Sequence, residues 1–250
     1  MKYITAYYTN LGINLNDLDH PISKMIHGLP SRTEVQQQSI ILQLKSLGLA
    51  LMDIRGHSKS VYKKYTGRII KTKNEAIYGH IFEIMQCAHF IQMSKDNQLP
   101  FKFGDANKKE PDLVFNNFGF EITSSRFSDN SSNFDPAAKL FYAFGKKNSK
   151  AYIGGNTALL IDITNVSQRA YGRQVAMSLK QFAEKIRAES KFGAVIFLSE
   201  WIDSTTLDVT LKVSEHIFSE DCNPELKSMI TSLFFRDDNT GNGMFLSDIK

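Results

Sequence analysis

The apolar residues of the chain follow two different periods along its length. Apolar side chains recur at helical spacing within residues 31–55 and again within residues 75–95. The first segment opens with a possible capping box of Ser31 and Glu34, and Gly48 inside it leaves open one helix or two short ones. The second segment is apolar on all sides, which is typical of a buried helix.

From residue 113 onward the pattern indicates strands as well as helices. Leu113–Phe115 and Phe118–Thr123 flank the turn-forming pair Asn116-Asn117, which predicts a β-hairpin. The later segments predict, in order, a helix over 134–150 with Asp135 as N-cap and Pro136 in its first turn, a buried strand over Ala158–Ile163, a helix over 170–191 ended by Gly193, a buried strand over Ala194–Leu198 and an edge strand over Thr206–Val213. This order predicts an α/β fold, in which a mixed β-sheet is flanked by helices.

Composition and short motifs exclude several classes. The chain is 42% hydrophobic and 22% charged, which excludes collagen-like, coiled-coil and wholly disordered proteins. Cys87 and Cys222 are far apart, so neither a disulfide framework nor a thiolate zinc site is indicated. We find no signal-peptide pattern and no apolar run long enough to span a membrane, and we expect a soluble cytoplasmic protein. Motifs of P-loop NTPases, dinucleotide-binding proteins and α/β-hydrolases are absent.

Charge is unevenly distributed although the formal net charge is only +4. Between Asp53 and Glu75 there is no acid, and the seven basic residues are Arg55, Lys59, Lys63, Lys64, Arg68, Lys71 and Lys73. Tyr62 and Tyr65 lie among them. This segment fits a surface that contacts phosphates, with tyrosines available to stack on bases, and it fits a solvated loop or helix face equally well. A second acid-free stretch, residues 136–161, carries Lys139, Lys146, Lys147 and Lys150.

Three carboxylates stand out by their predicted positions. Asp112 and Glu121 lie on neighbouring strands of the hairpin, with Pro111 at its entry, so the two side chains can converge on one hard cation. Glu83 is the only formally charged residue within 76–94 on the buried helix, where a carboxylate must be paired, hydrogen-bonded or metal-bound. Each acid alone is also explained by a turn, an ion pair or an exposed edge. Together they point to a divalent metal that activates water at a phosphate.

This arrangement resembles the PD-(D/E)XK nucleases, the restriction-endonuclease-like superfamily. The resemblance is carried by Glu83, by Pro111-Asp112 and by Glu121-Ile122-Thr123, and it covers roughly residues 75–200. It implies a restriction-endonuclease-like αβββαβ core with a helical N-terminal extension. We therefore divide the chain into a helical, basic accessory region over 1–74 and a nuclease-like α/β domain over 75–250.

The resemblance also implies an activity, the hydrolysis of DNA phosphodiester bonds with Mg²⁺ or Mn²⁺, as in a restriction or phage-defence endonuclease. Asp112 and Glu121 would bind the metal, and Glu83 would assist as a ligand or through a bound water. Double-stranded DNA is the expected partner, and a homodimer would allow both strands to be cut. The expected phosphate contacts are Arg55, Lys59, Lys63, Lys64, Arg68, Lys71, Lys73, Lys146 and Lys147.

Thr123 stands where the family has a catalytic lysine. A hydroxyl cannot replace an ammonium charge, so the cation would have to come from the next helix, with Lys139 as the first candidate and Lys146 as the second. Arg126 is the third, although a guanidinium is not deprotonated in proteins and could not act as a base. Thr123 favours an alternative, a catalytically inactive nuclease-like domain that binds nucleic acid or a protein partner. A helical DNA-binding regulator based on residues 31–73 would leave Glu83 unexplained.

Overall fold

The computed structural model describes residues 2–128, 133–202, 209–235 and 243–245, and it divides into two compact units. The helical unit is built on the chain up to Gln98, and the sheet unit on Leu99–Trp201 and Thr210–Met244. The buried helix that contains Glu83 therefore belongs to the helical unit, whereas the sequence-based division grouped it with the rest of residues 75–250.

The helical unit consists of helices packed on one long central helix. Its elements are α1 (Lys2–Leu11), α2 (Pro21–His27), a 3₁₀ turn (Leu29–Ser31), α3 (Glu34–His57), α4 (Lys59–Lys71) and α5 (Ala76–Asn97). Helix α3 contacts α1, α4 and α5, and α4 also contacts α5. The predicted helix over 75–95 is confirmed as α5, while α1 and α2 were not predicted.

Helix α3 is a single helix that begins later than its sequence suggested. Its capping box is Thr33 with Gln36, and Ser31 lies in the preceding 3₁₀ turn, so the Ser31/Glu34 box was wrong. Gly48 does not interrupt the helix. A Cβ at Gly48 would lie 3.3 Å from Cε1 of Tyr7, so the missing side chain makes room for this ring.

The sheet unit is a mixed β-sheet flanked by helices, which confirms the predicted α/β class. Its strands, in chain order and in the order of the sheet, are β1 (Phe101–Phe103), β2 (Leu113–Phe115), β3 (Phe118–Ser124), β4 (Thr157–Asp162), β5 (Ala194–Ile202), β6 (Val209–Phe218) and β7 (Gly243–Phe245). Strands β1, β2 and β3 pair antiparallel, whereas β3, β4 and β5 run parallel. Its helices are α6 (Pro136–Asn148), α7 (Thr164–Ala170), α8 (Leu179–Arg187) and α9 (Pro224–Phe234), with a 3₁₀ turn at Ala106–Lys108.

The predicted β2–β3 hairpin is confirmed, and its turn explains the register of the two strands. Asn116 and Asn117 have φ values of 47° and 68°. Both are left-handed, as the two central residues of a tight I′-type hairpin turn must be, and asparagine tolerates this region better than most residues. The turn pairs Leu113 with Phe120.

One face of the sheet packs against α6 and α8. Helix α6 begins as predicted, because the Asp135 carboxylate accepts a hydrogen bond from the Ala138 amide at 2.9 Å. The core on this face consists mainly of Leu140 and Phe144 from α6, Phe182 and Ile186 from α8, and Leu159, Ile161, Val195 and Phe197 from β4 and β5. Every residue of β4 is buried, as expected for a central strand.

The helix predicted over 170–191 is wrong in its extent. Helix α8 begins at Leu179, after a capping box of Ser178 and Gln181, so Val175 lies outside it. Gly193 does not cap a helix. Its missing side chain allows the Gly155 carbonyl oxygen to approach, since a Cβ there would lie 2.2 Å from that oxygen.

The strand predicted over Thr206–Val213 corresponds to β6, and its first three residues lie outside the described part of the chain. In the described sheet β6 lies between β5 and β7, so its prediction as an edge strand was wrong. None of the helices described has the length and apolar composition needed to cross a membrane.

Candidate active site

The β2–β3 hairpin brings Asp112 and Glu121 together. The antiparallel register, continued one residue beyond Leu113 and Phe120, places Asp112 opposite Glu121. The Ile122 amide donates a hydrogen bond of 2.8 Å to Oδ2 of Asp112, which fixes the orientation of this carboxylate. Asp112 therefore holds a defined position beside the Glu121 strand, although it precedes β2.

Pro111, the residue before Asp112, packs against the neighbouring strand. Gly119 lies on the facing strand, and a Cβ there would come within 2.9 Å of Cγ of Pro111 and of Cγ2 of Thr157. The proline ring thus packs where the neighbouring strand has no side chain. This contact helps to hold the residue before Asp112 against the hairpin.

Lys147 joins the two carboxylates. Its Nζ donates to Oδ2 of Asp112 at 2.8 Å and to Oε2 of Glu121 at 2.5 Å. These two oxygens are therefore at most about 5.3 Å apart, the sum of the two distances. Lys147 lies in the last turn of α6, which packs on β3 and β4, so the helix supplies the cation that Thr123 does not.

Two further groups bind Glu121, and sequence reasoning did not assign either to the site. Nζ of Lys150 lies 2.9 Å from Oε1 and 2.8 Å from Oε2 of Glu121, and the Tyr152 hydroxyl donates to Oε1. The Glu121 side chain is completely buried. The acid-free run of residues 136–161 was a signal for Lys150, but nothing in the pattern marked Tyr152.

The cluster is electrostatically balanced, with two carboxylates and two ammonium groups. Burial alone would raise the pKa of Asp112, but Lys147, the Ile122 amide and Lys150 outweigh it and lower that pKa. Burial would likewise lower the pKa of Lys147, and the charges of Asp112 and Glu121 raise it instead. Lys147 is therefore protonated at neutral pH and serves as a hydrogen-bond donor in this arrangement.

The Tyr152 hydroxyl is held in its neutral form as well. Burial raises its pKa, and the hydrogen bond to Glu121 raises it further. The hydroxyl therefore remains a donor to the carboxylate throughout the physiological range.

Lys139, the first candidate for the missing lysine, lies elsewhere on α6. Its Nζ is 5.9 Å from the centroid of the Phe127 ring. It precedes Lys147 by about two helical turns, roughly 12 Å along the axis at 1.5 Å per residue, whereas the carboxylates meet the end of the helix. Lys146, the second candidate, is exposed. Lys147, and neither Lys139 nor Lys146, is therefore the α6 lysine that pairs with Asp112 and Glu121 among the described residues.

Glu83 is paired within the helical unit. Its Oε1 accepts hydrogen bonds from the Tyr65 hydroxyl at 2.9 Å and from Nη1 of Arg68 at 3.2 Å. The Tyr65 hydroxyl also lies 3.4 Å from Sγ of Cys87. The charge on this largely buried helix is thus accounted for by an ion pair, one of the explanations that the sequence allowed.

A divalent metal ion fits the donor set in part. Among the described residues no group of three or more His, Cys, Asp or Glu side chains could hold a metal. Mg²⁺ is commonly bound by only one or two carboxylates, with water and substrate phosphates completing its coordination. Asp112 and Glu121 are the two carboxylates that would hold such a metal, and in this structure their oxygens accept hydrogen bonds from Lys147, Lys150 and Tyr152.

The basic segment of the helical unit forms a helix with one cationic face. We call Lys59, Lys63, Lys64 and Lys71 the α4 basic face; all are exposed, and none forms an ion pair with another described residue. The other cations of the segment are partly engaged: Arg55 lies over the Tyr62 ring at 5.7 Å, Arg68 pairs with Glu83, and Lys73 pairs with Asp17 at 2.7 Å.

Tyr65 is only 2% exposed, so the expectation that it could stack on bases is wrong. Its hydroxyl lies against Glu83 and Cys87 inside the helical unit, which is why the ring cannot reach a ligand at the surface. Tyr62, by contrast, is half-buried.

Comparison with known proteins gives no relative. No family model matches the chain, and neither a curated protein nor a solved structure is significantly similar to it. The function is therefore inferred from the geometry of the site.

Proposed function

We propose that this chain is a metal-dependent endonuclease that hydrolyses phosphodiester bonds in DNA. The observation that carries the proposal is the convergence of Asp112 and Glu121 on the Lys147 ammonium group. Two carboxylates and one lysine at the end of a hairpin are the functional groups that the PD-(D/E)XK resemblance requires. Lys147 provides from α6 the cation that is missing at Thr123.

The order of elements supports the same proposal. Helix α5 is followed by β1, β2 and β3, then by α6 and β4, which is an αβββαβ sequence. Asp112 and Glu121 fall before the second strand and on the third strand of this series. The finer restriction-endonuclease-like fold belongs to the proposal, and the mixed α/β sheet is its structural basis.

Each side chain has a role in this proposal. Asp112 and Glu121 would hold Mg²⁺ or Mn²⁺, which when bound supplies an activated water and neutralises charge on the phosphate. Lys147 donates a hydrogen bond to the attacking water or to a phosphate oxygen. Because its pKa is raised, it acts as a charge and a donor, not as the base. The α4 basic face contributes phosphate contacts that do not depend on base sequence.

We leave Glu83 out of the proposed catalytic group. Its carboxylate is bound by Tyr65 and Arg68, and these contacts give it a sufficient role in the stability of the helical unit.

One observation favours a second candidate function, a nuclease-like domain that binds nucleic acid without cutting it. Lys147, Lys150 and Tyr152 together occupy both oxygens of Glu121, and the cluster is neutral without a metal. Removing one partner of such a buried cluster destabilises the fold, so the cluster has a structural role even without catalysis.

A plasmid-nicking assay separates the two functions. Supercoiled DNA is incubated with the protein in Mg²⁺, in Mn²⁺ and in EDTA, and the wild type is compared with Asp112→Ala and Glu121→Ala. We expect nicking only with metal, and loss of nicking in both variants. Cutting that survives both substitutions would refute the proposed site, whereas DNA binding without cutting by the wild type would establish the second function.

A further inference from the structure

We infer that Lys150 is a phosphate-binding residue of this site and that its ammonium group exchanges between Glu121 and a DNA phosphate. The exchange makes metal and phosphate bind cooperatively. This inference rests on the proposed function, because it concerns the same two carboxylates.

In this structure Glu121 has no oxygen lone pair available for a metal ion. Its Oε1 accepts from Lys150 at 2.9 Å and from Tyr152, and its Oε2 accepts from Lys147 at 2.5 Å and from Lys150 at 2.8 Å. A carboxylate offers about four acceptor positions, and these four contacts use them. A metal can bind Glu121 only after one donor leaves.

Of the two ammonium groups that bind Glu121, that of Lys150 leaves more easily. The Lys147 side chain is 13% exposed, is part of α6 and is also held by Asp112, whereas the Lys150 side chain is 33% exposed. Lys150 lies beyond the end of α6, after the Ser149 cap. Moving the Lys150 ammonium group from Glu121 to water or to another anion therefore costs less free energy than moving that of Lys147.

The net charge of the cluster couples the binding of metal to the binding of phosphate. The cluster of Asp112, Glu121, Lys147 and Lys150 has no net charge. A divalent cation that entered it alone would place an uncompensated positive charge in a partly buried site. A phosphodiester brings a negative charge and attracts the Lys150 ammonium away from Glu121. The same movement exposes the oxygens that the metal needs. Each ligand thus favours the other, and the coupling is reciprocal by thermodynamic linkage.

The first measurement is the affinity for Mn²⁺ in the absence of DNA, by calorimetry, for the wild type and Lys150→Met. Removing Lys150 frees acceptor positions on Glu121, and we expect Mn²⁺ to bind about tenfold more tightly, the equivalent of one charge-assisted hydrogen bond. Lys180→Met is the control for the change of charge, because it removes one lysine from an exposed position of the same sheet unit. We expect its Mn²⁺ affinity to equal that of the wild type.

Tyr152→Phe is a second variant that keeps the charge. It removes one donor from Oε1 of Glu121, so it should also strengthen Mn²⁺ binding, by less than Lys150→Met. Glu121→Gln identifies the site, since it should abolish the binding measured in the other variants. Thermal unfolding of each variant shows that it is folded at the temperature of the titration.

The second measurement is the affinity for a short DNA duplex with phosphorothioate linkages, with and without Mn²⁺. The increase in duplex affinity caused by Mn²⁺ should be several times larger in the wild type than in Lys150→Met. In the variant no ammonium group at position 150 has to move from Glu121 to a phosphate, so the two ligands are not coupled.

The outcomes are distinct. Equal Mn²⁺ affinity in the wild type and Lys150→Met, lost in Glu121→Gln, would overturn the exchange and leave the nuclease proposal standing. Mn²⁺ binding that does not depend on Glu121 would overturn both.

Discussion

Asp112 and Glu121 face each other across the β2–β3 hairpin and accept hydrogen bonds from the same ammonium group, that of Lys147. A completely buried carboxylate such as Glu121 is costly unless it is paired. Thr123, the residue two positions after Glu121, cannot pair with it. The fold therefore brings a lysine from α6 to this position, and the same lysine is the one that the proposed chemistry needs.

Acid should destabilise the protein through Asp112. The pKa of this carboxyl is lowered, because Lys147, the Ile122 amide and Lys150 outweigh the effect of burial. A carboxyl of this kind stabilises the fold above its unfolded pKa of about 3.9 and loses that contribution as the pH falls through its lower folded pKa. We expect the free energy of unfolding in urea to fall below about pH 4 more steeply in the wild type than in Asp112→Asn. Equal slopes in the two proteins would contradict this prediction.

Two helical glycines should respond differently to alanine. A Cβ at Gly67 in α4 would meet no atom within 4 Å, whereas one at Gly48 in α3 would lie 3.3 Å from the Tyr7 ring. Gly67→Ala should raise the free energy of unfolding by about 0.5–1 kcal/mol, the usual difference in helix propensity. Gly48→Ala should lose this gain to the contact with Tyr7. Equal stabilisation by both substitutions, measured by urea unfolding, would show that the Tyr7 ring does not fill the space at Gly48.

Glu83 should matter for stability and not for cutting. Glu83→Gln removes the ion pair with Arg68 and weakens the hydrogen bond from Tyr65, which should cost about 1.5 kcal/mol of unfolding free energy. Metal-dependent cutting should remain near the wild-type rate in the folded variant. A variant that is as stable as the wild type but no longer cuts DNA would restore Glu83 to the catalytic group, as the family resemblance implies.

The α4 basic face should account for part of the salt dependence of DNA binding. Each phosphate contact contributes about 0.9 to the slope of log K against log salt concentration for duplex DNA. The double variant Lys63→Gln/Lys64→Gln should therefore reduce the slope by roughly 1–2. Lys180→Gln/Lys191→Gln, at exposed positions of the sheet unit, is the control with the same change of charge. A slope that changes equally in both double variants would show that the α4 basic face is not a specific contact surface.

The hairpin and its carboxylates could be predicted from the sequence because their signals are local. Asn116-Asn117 specifies a tight turn, and counting outward from it places Asp112 opposite Glu121. The central strand predicted over Ala158–Ile163 was equally clear from its apolar run, and it corresponds to β4, which begins and ends one residue earlier. These features depend on residues that are neighbours along the chain.

The source of the lysine could not be predicted because it depends on how α6 packs on the sheet. Lys139 and Lys147 are both on this helix, and only the tertiary contact of α6 with β3 decides which of them reaches Glu121. Lys150 and Tyr152 follow the end of the helix, so helical spacing could not be used to predict where their side chains point.

The start of α8 and the partners of Glu83 were missed for different reasons. Ser178 and Gln181 form a capping box that the sequence contained, but the apolar spacing back to Val175 suggested a longer helix. Tyr65 and Arg68 belong to another helix, so their contact with Glu83 depends on helix packing.

DNA cutting by two lysine variants of α6 tests most directly whether Asp112, Glu121 and Lys147 form one active site. If Asp112, Glu121 and Lys147 act as one site, Lys147→Met should lose cutting by about a hundredfold or more, the usual effect of removing one preorganised donor. Lys150 and Tyr152 still bind Glu121 in this variant, so we expect it to fold and to retain DNA binding. Lys139→Met, whose side chain lies over Phe127, should cut at the wild-type rate. Cutting at the wild-type rate by Lys147→Met, or loss of cutting by folded Lys139→Met, would contradict the claim.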